Sequence, residues 1–203
     1  MVRGVDPPSK KRPLDLEEAY AHIRRRVDAF FSRVRAAHGA EVQCAPRCTP
    51  CCQVHLTVSP IEAGYVHAAV RALPERLREE VEARARARSS LPMLDRSGGP
   101  CPLLIDERCT IYSERPLLCR AQGLPMLVRG DGPHPEYTVC QLNFEAGPPG
   151  GDAILNLDHL NRQLAAVNIL WCRSRGLDPT ARIPLARAIL GGPASGPDPT
   201  LQD

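Results

Sequence analysis

Apolar residues recur at every third or fourth position in two long stretches of the chain, a spacing that places them on one face of a helix. The first stretch predicts an amphipathic helix from Leu14 to Ala37, with Gly39 as its stop. The second predicts a helix that follows the N-capping residue Asn156 and reaches Trp171. The apolar positions are Leu16, Tyr20, Ile23, Val27, Phe30, Phe31 and Val34 in the first helix, and Leu157, Leu160, Leu164, Val167 and Trp171 in the second.

Three further helices are predicted from start signals and shorter apolar patterns. Ser59-Pro60-Ile61-Glu62 combines an N-cap residue, a proline in the first turn and an acid at the third helical position, so that a helix begins there. The next helix starts at Pro74 and is rich in Arg, Ala and Glu as far as Arg88, and we expect it to be largely solvated. A short helix is predicted near Pro184 to Leu190.

Short strands and turns are predicted between these helices. Residues 54–58 are β-prone, and residues 101–112 indicate two short strands around a polar turn, with Cys101 and Cys109 near opposite ends of the hairpin. A helical turn at 113–120 would carry Cys119, and a second hairpin would join 124–129 to 136–140 across 130–132. The predicted fold class is α+β, mostly α-helical with short β-hairpins. We expect a flexible N-terminal segment at 1–13, a single domain at 14–190 and a flexible tail at 191–203.

Nine cysteines dominate the chemistry of the sequence, and four of them lie within nine consecutive residues. Thiolates are soft ligands that suit zinc or iron–sulfur clusters, and one short loop can direct several of them at the same point. The loops and hairpins are therefore expected to surround a cysteine-bound metal centre. The candidate ligands are Cys44, Cys48, Cys51, Cys52, Cys101, Cys109, Cys119 and Cys140.

The number of metal sites is left open by the spacing. The last four candidate ligands would complete either two cysteine-rich sites or one cluster with additional thiols beside it. Cys51 and Cys52 are adjacent, and neighbouring side chains in an extended loop point in different directions. A single four-ligand zinc site therefore fits less well than a cluster or a pair of sites.

The cysteines have two interpretations other than metal binding. Free cysteines often lie in cores as small apolar side chains, which is the favoured role for Cys172 beside Trp171. Disulfides need an oxidising compartment, and the N-terminal segment has no apolar run of the kind that marks a secretory signal. No segment has the length of apolar residues needed to span a bilayer, so the expected location is the cytoplasm, without membrane association.

Charge and composition narrow the partners further. The net charge of +3 arises from 26 basic and 23 acidic residues, a balance that does not suit a general polyanion-binding surface. Nucleic acid is therefore not an expected partner. Aromatic residues make up only 4% of the chain, so the core must be rich in small aliphatic residues. We expect a further interaction, in addition to core packing, to stabilise the fold.

The cysteines and their neighbours form an ordered series of motifs. The series is Cys44-x3-Cys48-x2-Cys51-Cys52, Ser59-Pro60-x-Glu62, Cys101-Pro102-x-Leu104 and Cys109-x-Ile111-Tyr112-x2-Arg115-Pro116-x2-Cys119-Arg120. Over residues 43–120, with Cys140 as a late member, it resembles the bacterial cysteine-cluster family of the YkgJ type, described as a domain that chelates zinc or iron. The resemblance implies a metal-binding module that holds zinc or an iron–sulfur cluster. A similar cysteine domain occurs in flagellin lysine N-methylases, but this sequence has no glycine-rich fingerprint for a nucleotide-containing methyl donor.

Two arginines flank one of the candidate ligands. Arg115 and Arg120 lie on either side of Cys119 and are candidate cofactor-binding residues. Cationic groups beside thiolates lower the thiol pKa and offset the negative charge of a site with several thiolates. An equally good interpretation is that they are surface arginines that pair with Glu114 or Glu107.

Other polar residues near the motifs have simpler interpretations. Glu62 fits a capping box with Ser59 better than it fits a ligand, and Tyr112 fits a core position better than a catalytic one. His55 is a weak candidate zinc ligand, and His134 and His159 are weaker still. The sequence contains no nucleophilic elbow and no HExxH helix, so a hydrolase has no support.

Three functions fit these residues. The first is a metal-binding protein whose zinc or iron–sulfur site has a structural, storage, delivery or sensing role. The second is an iron–sulfur redox or protein-modifying enzyme related to flagellin lysine N-methylase, since Cys-Pro pairs also occur in bacterial ferredoxins. The third is an interaction module in which metal stabilises a scaffold and the solvated helix at 74–88 binds a protein partner. Ligand type alone leaves zinc and iron–sulfur equally open.

Overall fold

Helices separated by very short strands make up most of the protein over residues 15–89, 99–129 and 134–194, the part that a computed structural model describes. The helices are α1 (Leu16–Ala37), α2 (Pro60–Arg71), α3 (Glu75–Arg88), α4 (Leu117–Ala121), α5 (Leu157–Arg173) and α6 (Leu185–Gly191). The strands are β1 (Thr57–Val58), β2 (Leu104–Ile105), β3 (Arg108–Cys109), β4 (Met126–Arg129), β5 (Pro135–Thr138), β6 (Leu155–Asn156) and β7 (Ile183–Pro184). The α+β class, mostly helical with short hairpins, is confirmed.

The two best-patterned helices, α1 and α5, pack against each other and form the first core cluster. Each begins at a capping residue: Asp15 accepts hydrogen bonds from the N–H groups of Glu17 and Glu18, and Asn156 accepts one from His159. The periodic positions of both helices face this cluster, as their spacing predicts. Its buried members include Tyr20, Ile23, Val27, Val34, Leu160, Leu164, Trp171 and Cys172.

A second core cluster joins α2, α3 and α6. Its buried side chains are mostly Ala, Val, Leu and Ile, as the shortage of aromatic residues requires. The antiparallel pair of β1 and β7 closes one side of it, with Thr57 opposite Pro184. In α3, Val81 and Ala85 reach this cluster, whereas most of the helix surface is solvated, as its composition predicts.

Both predicted hairpins form. In the first, β2 and β3 pair antiparallel, with Leu104 opposite Cys109. Asp106 and Glu107 form its turn with φ values of 48° and 60°, the left-handed conformation that a two-residue hairpin turn needs at both positions. In the second hairpin β4 pairs with β5, and β6 adds to β4 in parallel, a pairing that the sequence did not predict. The predicted turn at 130–132 lies outside the described residues.

The structure corrects several local predictions. Tyr112 does not lie in the core: the residue is 64% exposed, because it sits in a 3-10 turn and its ring packs against the guanidinium of Arg115. Helical structure continues past residue 190, since α6 ends at Gly191 and a 3-10 turn at Gly192–Ala194 contacts α2. The predicted segment at 1–13 and the rest of the tail, from residue 195, lie outside the described residues. Among the helices described, none is both long and apolar enough to cross a membrane.

The buried carboxylate of Glu62 joins α2 to α4. One of its oxygens accepts hydrogen bonds from the backbone N–H and the hydroxyl of Ser59, at 3.0 Å and 2.8 Å, which confirms the capping interpretation. The other oxygen accepts a hydrogen bond from the backbone N–H of Leu117 at 3.0 Å. Leu117 is the first residue of α4, the helix that carries Cys119. The cap of one helix therefore also fixes the start of another.

Replacement of Glu62 by alanine is expected to lower the free energy of unfolding of the metal-free protein by about 2–4 kcal/mol, because it leaves two buried backbone N–H groups without an acceptor. The exposed N-cap of α1 offers a matched control, for which Asp15→Ala should cost about 1 kcal/mol. Urea unfolding of the two variants measures the difference. Equal losses would show that the bond to Leu117 adds nothing to the cap.

Candidate metal centre

The eight candidate ligands lie on loops and short elements rather than on the long helices. Cys44 and Cys48 precede a 3-10 turn at Pro50–Gln53, which carries Cys51 and Cys52. The remaining candidates are Cys101 before β2, Cys109 in β3, Cys119 in α4 and Cys140 after β5. All eight are free thiols, half-buried except for the exposed Cys51. Cys172 is also free but fully buried in α5, which confirms its predicted place in the core.

Backbone hydrogen bonds bring the cysteine-bearing loops together. We call residues 42–53, which carry Cys44, Cys48, Cys51 and Cys52, the first loop. At one end of this loop, the N–H of Cys101 donates to the carbonyl of Cys52 at 2.7 Å. At its other end, the N–H of Phe144 donates to the carbonyl of Glu41 at 3.0 Å. The first loop therefore contacts the segment that holds Cys101 and the segment that follows Cys140. These segments are far apart in the sequence, and the fold places them side by side.

One group of thiols surrounds Cys44. Burial raises the pKa of Cys44, and the neighbouring thiolates of Cys140 and Cys51 raise it further, whereas a hydrogen bond from Asn143 lowers it. Burial also raises the pKa of Cys48, with further contributions from Cys44, Cys51 and Cys140. Cys44, Cys48 and Cys140 are therefore close enough to influence one another, and we call them the first thiol group.

A second thiol group consists of Cys101, Cys109 and Cys119. Burial raises the pKa of Cys101 to about 11, and nearby Cys109 adds to the shift. Burial also raises the pKa of Cys119, and Cys101 and Cys109 raise it further. The pKa of Cys109 is raised by burial too, with a smaller contribution from Cys51. The structure thus brings together three thiols that the sequence spreads over two hairpin strands and a helix.

In the adjacent pair Cys51–Cys52, Cys51 interacts electrostatically with thiols of both groups. The two cysteines lie in a 3-10 turn and not in the extended loop that the sequence analysis assumed, and the Cys52 thiol acts on the pKa of Cys51 through a hydrogen bond. This bond is the largest cause of a raised pKa for Cys51, followed by burial. Cys51 also contributes to the raised pKa values of Cys44 and Cys101, one from each group. Cys51 is therefore within electrostatic reach of both groups.

Arg115 and Arg120 have different surroundings. Arg120 is only 4% exposed; its guanidinium binds the carboxylate of Asp28 at 2.5 Å and donates hydrogen bonds to the carbonyls of Ser113 and Arg115. Arg115 lies 3.5 Å from the same carboxylate and lowers the pKa of Cys51 and of Cys109. Arg115 thus acts on thiols electrostatically, whereas Arg120 holds the backbone around α4.

The predicted surface pairs of these arginines do not form. Glu114 pairs with Arg24 instead, and Glu107 lies 3.9 Å from Arg47. The partner of both Arg115 and Arg120 is Asp28 in α1, which the sequence did not single out. An i-to-i+4 pattern within one helix can be read from sequence, but a pair that links α1 to α4 cannot.

The weak candidate histidines are dispersed. His55 is buried just before β1, while His134 and His159 are exposed beside β5 and in the first turn of α5. Their possible role as ligands stays a prediction.

Three residues that the sequence analysis did not select contact the cysteine loops. Asn143 binds Cys44, Gly123 lies against the same sulfur, and Arg88 donates to the carbonyl of Pro100 at 2.6 Å, next to Cys101. Asn143 follows Cys140 by three positions, but nothing in that spacing marks it as a partner of a cysteine. Arg88 belongs to the arginine-rich run of α3, where its burial to 4% exposure could not be recognised.

The donor set fits the metals that bind thiolates. Thiols supply every donor in the two groups, and Arg115 supplies positive charge that opposes the repulsion between thiolates. Across residues 15–89, 99–129 and 134–194, no three Cys, His, Asp or Glu side chains stand in an arrangement ready to hold a metal ion. The thiols of each group are therefore near one another, but their sulfurs do not yet surround a common point. Metal coordination would require the loops that carry them to move.

A comparison with family models identifies this part of the chain. Residues 43–132 match the family CxxCxxCC, described as "putative zinc- or iron-chelating domain". The match confirms the resemblance to a cysteine-cluster family over these residues and supports binding of zinc or iron by this part of the chain. It includes seven of the eight candidate ligands and ends before Cys140. No curated protein and no solved structure matches the chain.

The metal-free, reduced protein is expected to lose stability as the pH rises from 9 towards about 11. An unfolded thiol ionises near its ordinary pKa of 9.0, whereas burial raises the pKa of Cys101 to about 11. In this range the unfolded chain has lost thiol protons that the folded chain still holds, so rising pH favours unfolding. The stabilisation is complete below pH 9 and is lost as the pH passes the raised value.

Urea unfolding at a series of pH values measures this effect. Cys101→Ser is the matched variant, because serine does not ionise in this range, and its stability should fall less steeply with pH than that of the original chain. Parallel curves for the two proteins would contradict the assignment of a raised pKa to Cys101.

Proposed function

We propose that the protein binds zinc or iron, the latter as an ion or in an iron–sulfur cluster, through its eight candidate cysteines, and that this centre has mainly a structural role. The observation that carries the proposal is that the cysteine-bearing segments lie side by side. The backbone hydrogen bond from Cys101 to Cys52 joins one end of the first loop to the second thiol group, and the contacts of Cys44 with Asn143 and Gly123 lie at its other end. Arg115 would offset negative charge at Cys51 and Cys109, while Arg120 would position α4.

A structural role follows from the kind of segments that the cysteines join. The loops at 42–53 and 139–150 contain only 3-10 turns, bends and isolated turns, and the hairpin β2–β3 has two residues in each strand. Such segments bury little apolar surface of their own, so they are marginally stable without a crosslink. A metal bound to both Cys44 and Cys140 would close a loop of about a hundred residues. Closing a long loop restricts the chain more than closing a short one, so this crosslink would stabilise the folded state strongly. Metal binding and folding of these loops would then be coupled.

The distribution of the thiols favours two sites over one. The first thiol group and the second each supply three sulfurs, and the pair Cys51–Cys52, in which Cys51 interacts electrostatically with both groups, can supply a fourth sulfur to each. Four thiolates complete a tetrahedral zinc site or hold one iron–sulfur cluster. A bound metal cation would supply the positive charge that keeps these thiols deprotonated, and their protons would pass to the solvent.

The second functional candidate, an iron–sulfur redox or protein-modifying enzyme related to flagellin lysine N-methylase, stays a prediction. So do the storage, delivery and sensing roles, the cytoplasmic location and a protein partner at α3. Bound zinc and bound iron give different spectra, so one preparation distinguishes them.

Protein purified without oxygen is expected to contain stoichiometric metal. A colourless protein with zinc indicates zinc sites, and visible absorption with iron and sulfide indicates a cluster. Because metal and loop folding are coupled, removal of the metal with a strong chelator should lower the urea midpoint. A protein without metal whose unfolding is unchanged by chelator would overturn the proposed function.

Single cysteine substitutions test the division into two groups. Cys48→Ser should remove metal from the first group and Cys109→Ser from the second, so that each variant keeps part of the metal and the double variant keeps none. Cys172→Ala is the matched control, because this thiol is buried in α5 away from the loops, and it should keep the full metal content. Complete loss of metal in both single variants would indicate one shared centre instead of two.

A further inference from the structure

The sulfur of Cys44 lies in a small pocket formed by Asn143 and Gly123, which we call the Cys44 pocket. The side-chain nitrogen of Asn143 lies 3.4 Å from the sulfur. A Cβ atom placed on Gly123 would lie only 2.4 Å from the same sulfur. Contact from both sides restricts the positions that this sulfur can occupy.

The orientation of the Asn143 amide is determined by its partners. Its oxygen accepts a hydrogen bond from the backbone N–H of Gln43 at 2.8 Å, so its nitrogen must point the other way. That nitrogen donates to the carbonyl of Gly123 at 2.6 Å and to the sulfur of Cys44. Asn143 is 2% exposed, so water cannot easily replace any of these partners. The second N–H of the amide is therefore committed to a sulfur that acts as an acceptor.

The backbone at Gly123 explains why no larger residue fits. Its φ of 97° lies in the left-handed region, where side chains are strained. A side chain there would also displace the sulfur, as the short contact shows. Glycine therefore meets two requirements at once, a turn after α4 and a close approach of Cys44.

The same asparagine also connects to the last cysteine. The backbone N–H of Asn143 donates to the carbonyl of Cys140 at 2.8 Å, forming a turn between them. One side chain and its own backbone thus hold the loop of Cys44 and the loop of Cys140 next to each other. Both Cys140 and Asn143 lie beyond the residues that match the family.

We propose that Asn143 is a positioning residue of the metal centre, which holds Cys44 as a thiolate ligand by an N–H···S hydrogen bond, and that Gly123 keeps the space that this sulfur needs. The inference rests on the proposed function and adds to it a partner for one ligand. Hydrogen bonds to a metal-bound thiolate orient it and stabilise its charge. Asn143 also connects Cys44 to Cys140, the ligand most distant from it along the chain.

Two variants of the full chain test the pocket, with zinc as the probe. Asn143→Asp keeps the oxygen that Gln43 needs but loses the N–H groups that face the sulfur, and Gly123→Ala places a methyl group against the sulfur. Loss of such an outer partner commonly weakens metal binding by about 10- to 100-fold, and we expect weakening of this size in a competition with a chromogenic chelator.

The chain offers a matched control for each variant. Asn168 is also 2% exposed; its oxygen accepts from the N–H of Ile61 and its nitrogen donates to the carbonyl of Pro179, so Asn168→Asp disturbs a similar buried amide away from the loops. Gly176 has a φ of 66° and open space around it, so Gly176→Ala tests backbone strain alone. Both controls are expected to bind zinc as the original chain does, whatever stability they lose.

A double-variant test of Cys44 and Asn143 distinguishes a positioning role of Asn143 from a general loss of stability. In a chain with Cys44→Ala, adding Asn143→Asp should weaken zinc binding no further, because its target is already absent. An undiminished effect of Asn143→Asp in that background would overturn the role assigned to its side chain.

Alkylation of the original chain needs no variant, so it still tests whether Cys44 is a ligand if the variants do not fold. Mass spectrometry should show that saturating zinc protects Cys44 from alkylation, while Cys172 reacts to the same extent with and without zinc. Full affinity in both pocket variants overturns this inference and leaves the proposed function intact. Unprotected Cys44 in a zinc-loaded chain also overturns this inference and removes Cys44 from the ligand set, while metal binding by the remaining cysteines stands. A chain that binds no zinc and no iron overturns the proposed function, and the inference with it.

Discussion

The buried carboxylate of Glu62 is the point at which the helical frame and the cysteine loops meet. It caps α2 through Ser59 and accepts the first N–H of α4 through Leu117, so one side chain serves two helix starts. A short helix such as α4 is not stable by itself and depends on contacts of this kind. The buried Arg120 completes the attachment, since it binds Asp28 of α1 and the carbonyl of Arg115. The position of Cys119 is thus set by contacts to two other helices.

Several of the candidate cysteines have thiols whose pKa values are raised in the fold. Burial and mutual repulsion raise the pKa values of Cys44, Cys48, Cys101 and Cys109, so the metal-free fold favours neutral thiols. Coordination favours thiolates, and a bound cation reverses the balance that burial imposes. Metal binding at this centre should therefore depend strongly on pH and should be linked to the folding of the loops. Such linkage suits a structural centre in a chain whose core is built from small side chains.

Glycine and asparagine contribute to the cysteine loops in ways that differ from the cysteines themselves. Gly123 leaves space for the sulfur of Cys44. Asn143 orients that sulfur, because its amide can form hydrogen bonds with Gln43, Gly123 and Cys44 in only one orientation. The turn from Cys140 to Asn143 then places a candidate ligand from outside the matched family segment next to Cys44.

The sequence by itself determined the elements and the set of candidate ligands. Periodic apolar residues located α1 and α5, capping residues located the starts of α2 and α5, and the cysteine motifs identified the family, because each of these signals acts within a few residues along the chain. Only the tertiary structure decided how the thiols are grouped, that Tyr112 is exposed, and that Asp28, Gly123 and Asn143 are neighbours of the site. These features depend on which loops meet across about a hundred residues. Loops without a regular period leave no pattern in the sequence from which such meetings could be predicted.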